Sequence, residues 1–259
     1  MNQPCLNCGH QVKGNFCTQC GQSKKVERFT FTYLLSEFLY SFTSTDRSVW
    51  ALLKSFFRNP GLVAYEYIDL GKRKKYFNLF TFFLIVLGIS ALFENKVWHL
   101  REDMFQLKNY YGYYFNLYKK MMILFMVPFN AFCIWLIYFK TKKYLFSEYL
   151  VFVIILMTVK SFIDIGLFVI TFLIIKITGK NVELDSNLMY PFILILIMCW
   201  VVYHFHKGAG IRDKARSIAS GFSFVAVEVL IVLFIVWAFF QRFHGLGIFD
   251  MFGVRISQG

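Results

Sequence analysis

Catalytic signatures are missing from this 259-residue chain. It holds no His-Glu-x-x-His pair, no Gly-x-Ser-x-Gly nucleophile turn and no phosphate-cradling glycine loop, so the familiar hydrolase and nucleotide-binding chemistries have no basis in the sequence. An internal repeat is missing too, which argues against the common inverted-repeat transporters. Acidic side chains are few: 15 Asp and Glu stand against 28 Lys and Arg, a formal net charge of +13. That excess needs no nucleic acid to explain it, because a membrane protein facing anionic lipid from the cytosol routinely acquires one. The chain reads as non-enzymatic, and no small-molecule substrate can be assigned.

What is present is grease. The composition is 58% hydrophobic with 33 Phe, and the mean hydropathy is +0.53, too apolar for a soluble domain. Five spans are expected, at about Asn78–Phe93, Met121–Phe139, Ser147–Ile177, Leu188–Tyr203 and Ile218–Phe240. About 20 apolar residues cross the hydrocarbon layer, so the first and fourth, near 16, are short. The third, near 31, must tilt or extend beyond the bilayer, or else split into a re-entrant pair. With the N-terminus inside, the inner segments carry 18 Lys and Arg against 7 Asp and Glu, and the outer ones 8 against 6. The positive-inside rule then predicts a cytoplasmic N-terminus and an external C-terminus in a cytoplasmic membrane.

Four of the six cysteines fall in the first 20 residues, as Cys5-x-x-Cys8 and Cys17-x-x-Cys20, each followed by glycine. A two-residue spacer lets both thiolates of a turn reach one ion at roughly 2.3 Å. The glycines, Gly9 and Gly21, permit the positive-φ backbone that aims N–H groups at the sulfurs. Four soft thiolates favour structural zinc, although iron occupies similar cages. The competing assignment is a pair of disulfides, disfavoured because no cleavable signal precedes the cysteines. A ribbon this small has no core of its own, so the metal must supply its folding energy. Val12 and Phe16 are the expected hydrophobic plugs, and His10 a solvated spacer. Cys133 and Cys199, in spans, read as small buried hydrophobes.

Between ribbon and first span, Thr30–Phe42 carries Phe31, Leu34, Leu35, Phe38, Leu39 and Phe42 on one helical face. A second helix is expected from Thr45-Asp46, and a third from Asn59-Pro60, where Asn caps and Pro suits the first turn, to Gly71. Such aromatic, basic-faced segments lie in the membrane interface or cap the bundle from below. Lys72, Arg73, Lys74 and Lys75 follow as the predicted contact for anionic lipid headgroups, each worth about 1 kcal/mol. The resulting organisation is a zinc ribbon at 1–23, interfacial helices and basic cluster at 24–77, and an all-α polytopic transmembrane bundle at 78–259.

The run Asn15-Phe16-Cys17 to Cys20-Gly21-Gln22, with Asp46-Arg47, Arg58-Asn59-Pro60-Gly61 and Gly71-Lys72-Arg73-Lys74-Lys75-Tyr76-Phe77-Asn78, resembles a bacterial membrane family. That family is catalogued only as domain of unknown function three-six-six-seven. The resemblance covers roughly residues 5–90 and departs at Asn78-Leu79, where the family continues Asn-Pro. It implies a bacterial inner-membrane protein with an N-terminal zinc ribbon, and no activity.

Polar groups recur inside the spans. Lys160 and Asp164 lie near the centre of span three, Glu228 near the centre of span five, and Asn130, just after Pro128, at the centre of span two. Charges at such depth cost several kcal/mol unless paired or wetted, and normally face the bundle interior. Lys160 and Asp164, four residues apart, share a helical face. Glu228 then lacks an obvious cation unless it shares Lys160 across helices. Together the four form either a polar staple between spans or a proton or cation relay. His204 and His206 read as interfacial residues at the inner end of span four. Three functions remain open: a scaffold presenting its ribbon to a protein partner, a small transporter or channel, and a lipid-remodelling protein.

Overall fold

A computed structural model describes residues 3–26, 28, 30, 49–105, 110–141, 143–180 and 189–242. The predicted helical face after Thr30 and the expected helix start at Thr45-Asp46 lie outside the described residues. The chain opens with two short antiparallel strands, β1 (Gln3–Pro4) and β2 (Gln11–Val12). Seven helices follow among the described residues: α1 (Val49–Arg58), α2 (Pro60–Ile68), α3 (Leu79–Phe105), α4 (Tyr110–Tyr138), α5 (Phe146–Thr178), α6 (Met189–Gly208) and α7 (Lys214–Arg242).

Local chemistry explains several helix ends. Asn59 caps α2 from an extended backbone, its side chain accepting from the Leu62 N–H at 3.0 Å, and Pro60 supplies the preset first turn. Asn78 caps α3 the same way, accepting from the N–H groups of Phe80 (3.0 Å) and Thr81 (3.1 Å). At the start of α5 the Glu148 side chain turns back to accept from the Leu145 N–H at 2.7 Å. Gly179, at φ +65°, closes the other end of α5 in the left-handed region.

Among the described residues, four helical stretches are long and apolar enough to cross a membrane: Arg73–Phe105, Ile123–Thr141, Phe146–Thr178 and Tyr190–Gly208. The fifth predicted span falls within α7. One alternative drops out and one expectation changes. Span three is one continuous 33-residue helix, about 50 Å long at 1.5 Å per residue, and not a re-entrant pair. Span one does not stop at Phe93 either, since α3 runs on to Phe105. Beyond the greasy stretch its polar residues sustain the helix: Trp98 Nε1 donates to Glu102 at 2.9 Å, and His99 pairs with Glu102 at 3.1 Å.

The longest helix, α5, packs along α3 and α4, while α7 packs along α4 and α6, and α2 lies across α6 and α5. Aromatic rings fill the gap between α5 and α6, with Phe152 stacked on Phe205 at 4.3 Å. At mid-length α5 meets the beginnings of two other helices: Tyr190, in the first turn of α6, reaches Asp164, and Phe82, in the first turn of α3, touches Phe162 with centroids 6.0 Å apart. Phe56 of α1 joins the same spot, 5.7 Å from Phe162. The linker helices α1 and α2 therefore bury apolar faces on the bundle, with Leu52, Phe56, Val63, Ala64, Tyr67 and Ile68 all buried.

The α2–α6 crossing depends on Gly61. A Cβ there would lie 2.4 Å from the Val201 carbonyl oxygen, 2.9 Å from His204 Cβ and 3.0 Å from the Phe205 N, two of them rigid helical backbone. Gly61→Ala is expected to destabilise the fold by about 1–3 kcal/mol, because overpacking here has to push two helices apart. Gly88→Ala, where a Cβ meets nothing within 4 Å, is the matched control. Thermal unfolding in detergent should fall for the first and stay level for the second.

Candidate metal centre and buried charge cluster

The two cysteine turns are built alike. In the first, the Cys5 N–H donates to the His10 carbonyl and the Gly9 N–H to the Cys5 carbonyl, both at 2.8 Å. In the second, Cys17 N–H to Gln22 and Gly21 N–H to Cys17 repeat the pattern, again at 2.8 Å. Gly9 (φ +77°) and Gly21 (φ +72°) occupy the left-handed region that each closure requires. The four sulfurs gather within 4.8 Å of one another, with Cys5–Cys20 and Cys8–Cys17 each 3.6 Å apart. A tetrahedron of sulfurs about 2.3 Å from a central ion has edges of about 3.8 Å, so the set fits a four-thiolate metal. A four-sulfur cage leaves no open position, so a metal held there would have a structural role.

The surroundings of this centre differ from expectation at one plug. Val12 is buried with Cys5 and Cys17, whereas Phe16 is 64% exposed. Phe16 pairs across to Ser23 as an isolated antiparallel bridge, which turns its ring outward from so small a core. His10 is exposed, as a spacer should be. Its counterpart Gln22 is 3% exposed, buried where the ribbon meets the loop after α2. Farther on, Arg28 forms a two-pronged ion pair with Glu148 (2.9 and 2.7 Å) and also donates to the Lys143 carbonyl.

The basic quartet is partly used within the protein. Glu66 on α2 accepts from Lys72 at 3.1 Å, from Lys75 at 2.5 Å and from the Tyr76 hydroxyl. Burial pushes the Glu66 carboxyl up, but hydrogen bonds from Lys75, Tyr76 and Lys72 outweigh it and hold the group at about 2. Because the folded value is depressed, this knot stabilises the fold above the ordinary carboxylate range and loses that contribution as pH falls from about 4.5 toward 2. Glu66→Gln should flatten the acid limb of a stability-versus-pH curve over that window. Lys74 keeps an exposed side chain, and its backbone N–H donates to Gln22 at 3.2 Å.

Deep in the bundle, Lys160 Nζ lies 3.1 Å from Asp164 Oδ2 and 4.0 Å from Glu228 Oε2. The sharing of one ammonium between helices α5 and α7, left open by the sequence, is the arrangement found. The Tyr190 hydroxyl completes the set, donating to Asp164 Oδ1 at 2.6 Å. Tyr190 was invisible as a site residue because an aromatic near a span end is ordinary. Asn130 takes a different partner: its amide donates to the Met126 carbonyl, 3.2 Å away and one turn back. That carbonyl precedes Pro128 in a helix whose ladder the proline interrupts.

His206, at the end of α6, is enclosed by protein and does not stand out from the helix. It is fully buried, stacked on Tyr138 with centroids 3.7 Å apart and planes 6° from parallel. Its Nδ1 faces the Val202 carbonyl at 3.0 Å, which can only accept, so Nδ1 carries the hydrogen and Nε2 accepts from the Tyr149 hydroxyl at 3.3 Å. His204 stays half-buried and bonds to the Trp200 carbonyl. A histidine four residues ahead of Gly210 gave no hint of this, because the aromatic walls come from α4 and α5. Comparison with known proteins adds no relative: no family model, curated protein or solved structure matches the chain.

Proposed function

We propose that the protein is a non-enzymatic, five-span scaffold of the bacterial cytoplasmic membrane, whose N-terminal zinc ribbon faces the cytoplasm and recruits a protein partner. The observation that carries this reading is the way the ribbon is mounted. Gln22 seats the ribbon on the loop after α2, while His10 and a 64%-exposed Phe16 face outward. An aromatic ring held outward on a metal-braced turn is a ready anchor for a partner's apolar pocket. The resemblance to domain of unknown function three-six-six-seven agrees with this reading, as does the positive-inside distribution of charge. Crosslinking and copurification in mild detergent test it. Phe16→Ser is expected to deplete a copurifying chain while leaving metal content and folding intact; an unchanged set of partners rejects the adaptor role.

The buried charges favour a second reading, a small proton or cation carrier. Lys160, Asp164, Glu228 and Tyr190 come from three helices, and α5 meets α6 only sparingly along its backbone. Proton flux in liposomes separates the two. A flux abolished by Glu228→Gln supports carriage; equal or absent flux in parent and variant leaves the cluster as a staple.

A further inference from the structure

The ribbon is joined to the membrane domain by a contact that its own metal site shapes. Gln22 stands two residues after Cys20, and its carbonyl closes the second knuckle by accepting from the Cys17 N–H at 2.8 Å. Its side chain uses both ends of its amide on the loop after α2. Nε2 donates to the Gly71 carbonyl at 2.6 Å, and Oε1 accepts from the Lys74 N–H at 3.2 Å. Gly71 adopts φ +66°, and the space of its missing Cβ is bounded by Val26 (3.0 Å) and Leu6 (3.6 Å). Both knuckles therefore touch the loop, and the loop is shaped to receive them.

From the loop the connection runs inward without a gap. Lys72, Lys75 and Tyr76 hold Glu66 on α2. On the residue before Glu66, the Tyr65 ring lies against Gly208 at the end of α6, and about one turn farther back Gly61 crosses α6 at Val201 and Phe205. The orientation of Gln22 depends on a knuckle that has almost no hydrophobic core of its own, with only Val12 buried beside the cysteines. In a domain of this size, binding free energy of the metal is folding free energy.

We infer that metal occupancy of the four-cysteine site controls docking of the ribbon on the Gly71–Tyr76 loop, making the ribbon a metal-dependent latch on the base of the helix bundle. This rests on the metal-centre reading and adds an intramolecular partner, the chain's own loop. Loss of the ion frees Gln22, exposes the Lys74 N–H and loosens the seat of α2 on α6.

Hydrogen–deuterium exchange on the full chain in nanodiscs tests the latch, with metal content measured in parallel. In the zinc-loaded protein the Lys74 amide and the 71–76 segment are expected to be protected. Chelation should speed their exchange at least tenfold, and added zinc should restore it. Gln22→Ala should give the fast Lys74 exchange while one zinc per chain stays bound. Gln22→Glu, which keeps the acceptor for Lys74 but loses the donor to Gly71, should fall between. Faster exchange confined to residues 3–26 after chelation, or slow Lys74 exchange in Gln22→Ala, overturns the latch while the metal site stands. A purified chain that binds no transition metal overturns the metal centre and the latch together.

Discussion

Lys160→Met is expected to cost the protein about 3–5 kcal/mol, the largest loss from any single substitution in the bundle. The ammonium sits between two enclosed carboxylates, 3.1 Å from Asp164 and 4.0 Å from Glu228, with each side chain exposed by about a tenth. Removing it strands like charges where water is scarce. Losing one ordinary hydrogen bond between spans costs far less, about 0.6 kcal/mol on average, so the size of the effect tells stranded charge from a simple missing contact. Converting all three together, Lys160→Met with Asp164→Asn and Glu228→Gln, should recover most of the stability, because the desolvation cost disappears with the charges. Unfolding of the single and triple variants in one detergent provides the comparison. A Lys160→Met protein as stable as the parent means that water reaches the carboxylates, which favours the carrier reading.

Cys17→Ser should abolish metal binding and unfold the ribbon. Cys17 is 2% exposed and supplies both a thiolate and the N–H that closes its knuckle on Gln22. Structural zinc contributes about 10–16 kcal/mol in isolated fingers, far more than Val12 and two short strands can replace. Metal analysis should fall from about one ion per chain to none, and limited trypsin digestion should open at Lys13, Lys24 and Lys25 while the helices remain intact. A colourless loaded sample identifies zinc, and visible absorption identifies iron. Retention of a full equivalent of metal by Cys17→Ser excludes the four-thiolate centre.

Features governed by neighbours along the chain were readable in advance. The cysteine turns with their glycines, the Asn59–Pro60 helix start and the Lys160–Asp164 pairing all depend on residues at most five positions apart. Contacts across the fold were not readable. Whether Glu228 reaches Lys160 depends on the rotation of α7, and Tyr190 becomes a partner only because α6 carries it level with the middle of α5. Hydropathy marks where grease stops, so it ended span one at Phe93, while backbone hydrogen bonding and the Trp98 and His99 pairings carry α3 on to Phe105. Phe16 and His206 fail in opposite directions for one reason. A small ribbon has no room inside for a ring, and a large bundle has room for an imidazole among tyrosines.

The two cysteine turns share one backbone closure, yet only the second ends in a side chain that fits the loop below it. A tip built from near-identical halves would otherwise seat either way up. With glutamine on one half and histidine on the other, it behaves as a keyed plug with a single insertion, and exchanging the residues at positions 10 and 22 would be the way to turn it over.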